Sequence, residues 1–265
     1  MFSIKVFSLI TLLLGTVCAQ TSKIRYMPFG DSITEIVCWR GLLWSKLQAA
    51  GYTNIDFVGS GTNQNPAGCS AAPSNYDKNN EGHSGFLAID IANKGQLPGW
   101  LKTNPADIIT MHLGTNDVGA QHKTAEIITA FTTLVSQMRA SNPNMKIIVS
   151  ASTAVLFSKC IGTNILQVAK IIPATASYYQ TGIKALNDAI PGWAAGLNST
   201  QSPIWVVDQN TGMSASADER DGLHPNAAGD VKMANVWYPA VVNAAKSLGS
   251  RVVATESKRE VEFVA

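Results

Sequence analysis

Charge is scarce in this sequence, and what there is nearly cancels. Charged residues fill 14% of the 265 positions, and 20 Lys+Arg offset 18 Asp+Glu to a formal net charge of +2. A disordered chain needs high charge and low hydrophobicity, whereas 46% of these residues are hydrophobic. The sequence also lacks the concentrated basic face that a phosphate backbone demands, which argues against nucleic acid as the main partner. The 21 Gly and 11 Pro are ordinary for this length, which excludes a fibrous repeat. No segment repeats and no Pro/Ser-rich linker divides the chain, so it reads as one α/β domain. Beyond the first residues, no apolar run is long enough to span a bilayer.

The N-terminus carries an address. Lys5 supplies a positive end, Val6 to Val17 is mostly apolar, and Val17-Cys18-Ala19 ends in a small residue suited to cleavage. Residues 1–19 therefore read as a signal peptide, with a secreted, extracellular chain starting at Gln20. Asn198-Ser199-Thr200 is a glycosylation acceptor pattern consistent with export. Cysteine is rare, with 4 in all. Cys18 leaves with the signal and Cys160 stands alone, so in an oxidising compartment Cys38 and Cys69 form the natural disulfide.

Local patterns set out the elements. Ile24–Phe29, Ile55–Val58, Asp107–Leu113 and Ile204–Val207 read as strands. Trp39–Ala50, part of Phe86–Leu101, Thr124–Arg139, Ser177–Ala195 and Asn226–Leu248 read as helices. Pro191 and Gly192 are expected to break the fourth, and Pro239 to kink the fifth. Ser60–Asn80, rich in Asn, Pro, Gly and Ser, reads as a long surface loop. Alternating strands and helices imply a parallel sheet covered on both faces, with sites beyond the carboxyl ends of its strands. The tail Ser250–Ala265 has few packing residues and is expected to be loose.

Three turns hold candidate chemistry: Gly30-Asp31-Ser32-Ile33-Thr34, Gly114-Thr115-Asn116-Asp117 and Asp221-Gly222-Leu223-His224-Pro225. The first two directly follow strands, so a parallel sheet brings them to one edge. A serine becomes a nucleophile when a base takes its proton and a third group orients that base. His224 suits the base for Ser32, and Asp221 the orienting acid. Negative charge on a substrate oxygen needs donors. Asn116 offers side-chain N–H, while Ser32 and a glycine offer backbone N–H.

In that order these turns resemble the GDSL, or SGNH, hydrolase superfamily, from about Lys23 to Gly249. Met27–Glu35 followed by Cys38-Trp39-Arg40, and Glu81-Gly82-His83-Ser84-Gly85, are similar to fungal secreted members of carbohydrate esterase family 3, which includes acetyl xylan esterases. The resemblance implies a flavodoxin-like three-layer α/β/α sandwich with a parallel sheet, and no metal or organic cofactor. It implies Ser32, Asp221 and His224 as the catalytic set. It implies Ser32, Gly82 and Asn116 as the oxyanion hole, with Gly85 open in place of Gly82. The expected substrate is an acetylated polysaccharide or oligosaccharide, with no membrane partner and a monomeric chain. An esterase of lipids or other short acyl esters, and a non-catalytic carbohydrate-binding protein, are the competing readings.

Plainer roles suit the remaining candidates. Asp31 reads as a turn-stabilising residue, and Ser84 fits no G-x-S-x-G elbow. His83, His112 and His122 have no standard metal spacing. Trp39, Trp44 and Trp100 read as packing residues. Finally, Val149–Gln167 interrupts what would otherwise be one buried strand. Joining Ile148 to Val168 gives Lys-Ile-Ile-Val-Ala-Lys-Ile-Ile-Pro. Val149-Ser150 can be encoded by a splice-donor sequence and Gln167 by an acceptor, so the segment reads as a retained intron.

Overall fold

The computed structural model describes residues 22–150 and 171–262. The signal peptide lies outside the described residues, as does Ala151–Gln167, most of the suspected intron.

Among the described residues, six parallel strands form one sheet: β1 (Ile24–Gly30), β2 (Ile55–Phe57), β3 (Glu81–Gly82), β4 (Ile108–His112), β5 (Lys146–Ser150) and β6 (Ile204–Val207). Their order is β2-β1-β4-β5-β6, and the two-residue β3 joins the end of β1 by pairing Phe29 with Glu81 and Gly30 with Gly82. Nine helices among the described residues accompany them: α1 (Ser32–Glu35), α2 (Trp39–Ala49), α3 (Ala88–Asn93), α4 (Gln96–Thr103), α5 (Thr115–Gly119), α6 (Thr124–Ser141), α7 (Ser177–Leu197), α8 (Ala215–Asp218) and α9 (Ala227–Glu262).

The strands are apolar on both faces because both faces are covered. Met27, Phe29, Ile109, Met111, Ile147 and Val149 pack on α3, α4, α6 and α7. Tyr26, Ile108 and Ile148 pack on α2 and α9 through Leu43, Leu47, Trp237 and Val241. The result is a three-layer α/β/α sandwich. Strand alternation sends neighbours in sequence into opposite cores, and Ile171 and Ile172, just past the undescribed segment, divide the same way.

Three local expectations change. Phe86–Leu101 is two helices, α3 and α4, because the chain turns at Gly95. α7 does not end at Pro191 but runs through it to Leu197. The missing N–H costs one hydrogen bond, yet Ile190 and Ala194 are buried on either side. Trp193 donates to Thr132 Oγ1 at 2.9 Å and packs on Phe131. α9 continues past Leu248 to Glu262, with Pro239 inside it. The long loop from Ser60 to Asn80 is tied at its ends by an antiparallel bridge between Gly61 and Asn80 and in its middle by the Cys38–Cys69 disulfide.

Candidate active site

The carboxyl end of β1 delivers Ser32 into the first turn of α1. Asp31 caps that turn by accepting the Ile33 N–H at 2.9 Å, as expected of a turn-stabilising residue. Its carboxyl is 1% exposed, and burial pushes it up to about 7, with the charge of Asp117 adding to the rise. Ser32 Oγ lies 2.8 Å from His224 Nε2. His224 Nδ1 lies 2.8 Å from Asp221 Oδ2, while Asp221 Oδ1 accepts the His224 N–H at 2.8 Å and the Leu223 N–H at 3.1 Å. Burial alone would raise the Asp221 carboxyl. The hydrogen bonds from the His224 backbone and ring outweigh it and hold the group below its ordinary value.

Asp221 and His224 can meet because the loop between them doubles back. Gly222 sits at φ +81°, a left-handed conformation that suits glycine. Arg220 N–H donates to His224 O at 2.9 Å, and Thr175 N–H donates to Gly222 O at 3.0 Å. Asn226 then opens α9 by accepting the Ala228 and Gly229 N–H groups.

The opposite side of Ser32 is built over longer distances. Asn116, in α5, donates through Nδ2 to Phe86 O at 3.0 Å, and its second amide hydrogen has no partner among the described residues. The neighbouring Asp117 is fully buried and accepts the Ala88 and Ile89 N–H groups, so it caps α3 and holds Phe86 in place. Gly82 N–H donates to Asn80 Oδ1 at 2.9 Å, so the expected oxyanion donor already has an acceptor. A side chain at Gly82 would come within 2.6 Å of Glu35 N. Glycine is therefore needed for the close approach of this loop to α1. The N–H groups of Ser32 and Gly85 have no partner among the described residues.

Two side chains lock that side together. Glu35 Oε2 accepts the Ser84 N–H at 2.7 Å and the Ser84 hydroxyl at 2.5 Å, and Oε1 accepts from Asn63 Nδ2. Arg40 is fully buried, and among the described residues no carboxylate bonds its guanidinium. It donates instead to the carbonyls of Thr34, Glu35, Lys78 and Asn63. Glu81, also buried, accepts from Ser60 and from His83 Nε2. The His83 ring stacks on Trp100 with centroids 4.2 Å apart.

A family model described as GDSL-like Lipase/Acylhydrolase matches residues 29–231. The chain belongs to that family. It is a carboxylic ester hydrolase close to carbohydrate esterase family 3. The chain is 36% identical to a carbohydrate esterase family 3 protein from Talaromyces cellulolyticus, covering 84% of this chain and 98% of that one, with a TM-score of 0.72. It is 34% identical to a serine-to-alanine acetyl esterase mutant crystallised with an acetate ion, covering 85% of this chain and 99% of that one, at TM-score 0.71. A multidomain esterase of Ruminococcus flavefaciens is 30% identical over 246 residues, 84% of this chain. The chain spans only 29% of that relative's length.

The other histidines of this esterase lie on separate segments. His83 is held by Glu81, and His122 lies 3.4 Å from Glu126. His112 ends β4 with neither ring nitrogen bonded among the described residues, and burial drops it to about 4. Among the described residues no group of three or more His, Cys, Asp or Glu is placed to hold a metal ion, and no helix is long and apolar enough to cross a membrane. Trp39 is packing, as expected: it lies against Trp237 and donates to Ile33 O. Sequence reasoning missed Glu35, Arg40, Asn80 and Asp117 as builders of the site. The acidic Asp117 beside Asn116 was the one local signal, since a carboxylate is a good acceptor for a helix N-terminus.

Proposed function

We propose that the chain is a secreted serine esterase that removes O-acetyl groups from plant cell-wall polysaccharide such as acetylated xylan. The observation that carries this reading is the continuous hydrogen-bonded line from Ser32 Oγ through His224 to Asp221, 2.8 Å at each step. With Nδ1–H donated to an ionised Asp221, His224 Nε2 is left as an acceptor facing the serine hydroxyl. It takes the Ser32 proton as Oγ attacks the acetyl carbonyl. The tetrahedral oxyanion is received by the Ser32 N–H and the free amide hydrogen of Asn116. Gly82 N–H joins them if it exchanges Asn80 Oδ1 for the oxyanion, and Gly85 N–H is the substitute donor. The sugar alcohol departs with the proton from His224. Water, deprotonated by the same imidazole, attacks the acetyl-serine and releases acetate.

The family 3 neighbour and the acetyl esterase with its acetate support acetyl as the acyl group and a saccharide as the alcohol. Asn198 supports export and glycosylation. Its side chain is exposed at the end of α7, with Oδ1 engaged by Ile204 N–H and Nδ2 left for a glycan. Acetate release from acetylated xylan tests the reading. The wild type should release acetate and Ser32→Ala should not. Release by a well-folded Ser32→Ala protein sinks the nucleophile. A wild type that cleaves aryl acetates or longer acyl esters but spares the polysaccharide replaces the substrate.

A further inference from the structure

A large aromatic side chain stands open to solvent beside this site. Tyr178, in the first turn of α7, is 54% exposed. Its ring lies against that of Tyr179, with centroids 4.7 Å apart. Tyr179 anchors the pair. Its hydroxyl packs on Gly119, the last residue of the helix that carries Asn116, and leaves no room there for a side chain. Partial burial and the neighbouring Tyr178 push the Tyr179 hydroxyl up. Three residues before Tyr178, Thr175 donates its N–H to the carbonyl of Gly222, between Asp221 and His224. The segment Thr175–Tyr179 thus rests on the acid–base loop at one end and on the oxyanion helix at the other, and it turns one aromatic face outward between them.

We propose that Tyr178, braced by Tyr179, is a saccharide-binding platform that holds a pyranose ring next to the acetylated one. This rests on the saccharide-ester reading above. An aromatic face carries negative π density, and the C–H face of a pyranose is weakly positive and apolar, so the two stack while the sugar hydroxyls stay in water. A small acyl ester that ends at the reacting unit has nothing to place there. The platform therefore acts on polymer and oligosaccharide substrates and not on the chemical step.

Steady-state kinetics of wild type, Tyr178→Ala and Tyr178→Phe on acetylated xylo-oligosaccharides and on para-nitrophenyl acetate test this. Tyr178→Ala should raise KM for the oligosaccharide about three- to ten-fold and leave kcat alone, the size expected for one lost aromatic contact. It should change neither constant for the aryl acetate, and Tyr178→Phe should keep the wild-type KM. An unchanged oligosaccharide KM in Tyr178→Ala overturns the platform, as does an equal rise on both substrates. A wild type that turns over the aryl ester but deacetylates no saccharide overturns the substrate reading first, and the platform with it.

Discussion

The two sides of Ser32 are made in different ways. The acid–base side is local: Asp221 and His224 lie three residues apart, and their carboxylate, imidazole and backbone N–H groups bond within one loop. The proposed oxyanion side is assembled from the chain at large. Asn116 is aimed by Phe86, Phe86 is held through the Asp117 cap on α3, and the Gly82–Ser84 strip is pinned by Asn80 and Glu35. Arg40 ties α1 to the long loop through four carbonyls. On the proposed reading, the difference teaches that a short loop can set a proton relay, whereas shaping a hole for a small anion takes several segments held rigidly. Damage to the first side should act on chemistry alone. Damage to the second should act on chemistry and stability together.

The largest effect belongs to the local side. His224→Ala should lower kcat on an aryl acetate by about 10⁶, and Asp221→Asn, which leaves the imidazole in the wrong tautomer, by about 10⁴. Both proteins should lose no more than about 1 kcal/mol in urea unfolding, because the Asp221 side chain is 48% exposed. A large stability loss in either would break the contrast. On the far side, Asn116→Ala should cost roughly 10²–10³ in kcat through loss of one oxyanion donor. A variant as fast as wild type would remove Asn116 from the hole.

Stability sharpens the comparison next. The Cys38–Cys69 bond closes a 31-residue separation around the long loop. Replacing both with Ser should cost about 3–4 kcal/mol in urea unfolding, on the chain-entropy account. Arg40→Met should cost at least about 3 kcal/mol, because it leaves buried carbonyls without a donor. If activity in the folded fraction of Arg40→Met matches wild type, the guanidinium holds the fold and not the hole.

A smaller effect follows from three buried carboxyls. Burial pushes Asp31 and Glu219 up to about 7 and Asp230 up to about 6. Asp218 and Asp221 add to the rise at Glu219, whose two oxygens have no hydrogen-bond partner among the described residues. Below their unfolded values, near 4, these groups are protonated in both states and contribute fully. As pH rises toward 7 the folded chain holds protons that the unfolded chain has lost, so stability falls. Glu35, Asp218 and Asp221 are held below their ordinary values and His112 is dropped to about 4, so their opposite contribution is lost as pH falls, but the three raised carboxyls outweigh His112 between about pH 5 and 7. The urea midpoint should therefore decline from about pH 5 to about pH 8, and Glu219→Gln should flatten that slope. A midpoint that rises across this range would contradict the assignment.

The intron reading is tested on the native protein. β5 uses Val149 and Ser150, paired with Val206 and Val207, and Val168 and Ala169 are the residues that would replace them after excision. Peptide mapping of the mature protein should yield a fragment joining Ile148 to Val168. Any fragment containing residues 151–166 overturns the proposal.

Much of this was readable in the sequence because its signals are short in range. Buried parallel strands announce themselves as apolar runs, and an Asp and His three residues apart can meet within their own loop. A serine or asparagine directly after a strand must lie at the sheet's edge. These facts set the α/β class and pointed to Ser32, Asn116, Asp221 and His224. Other features depended on groups far apart in sequence. Nothing near Arg40 says that its charge will be spread over carbonyls of residues 34, 35, 63 and 78. Nothing near Gly82 says that its N–H will face Asn80. Asp230 accepts the Cys38 and Trp39 N–H groups at the start of α2, across most of the chain. Pro191 and Gly95 show the limit from the other direction. Packing of Ile190 and Ala194 carried a helix through a proline, and a turn at Gly95 divided an apolar stretch into two helices. Sequence by itself determined the strand pattern and singled out the residues of the proposed chemistry, because backbone propensity and spacing act over a few residues. Tertiary structure alone decided which donors line the proposed oxyanion hole and which carboxyls are pushed above their ordinary values, because both depend on what the rest of the chain packs around them.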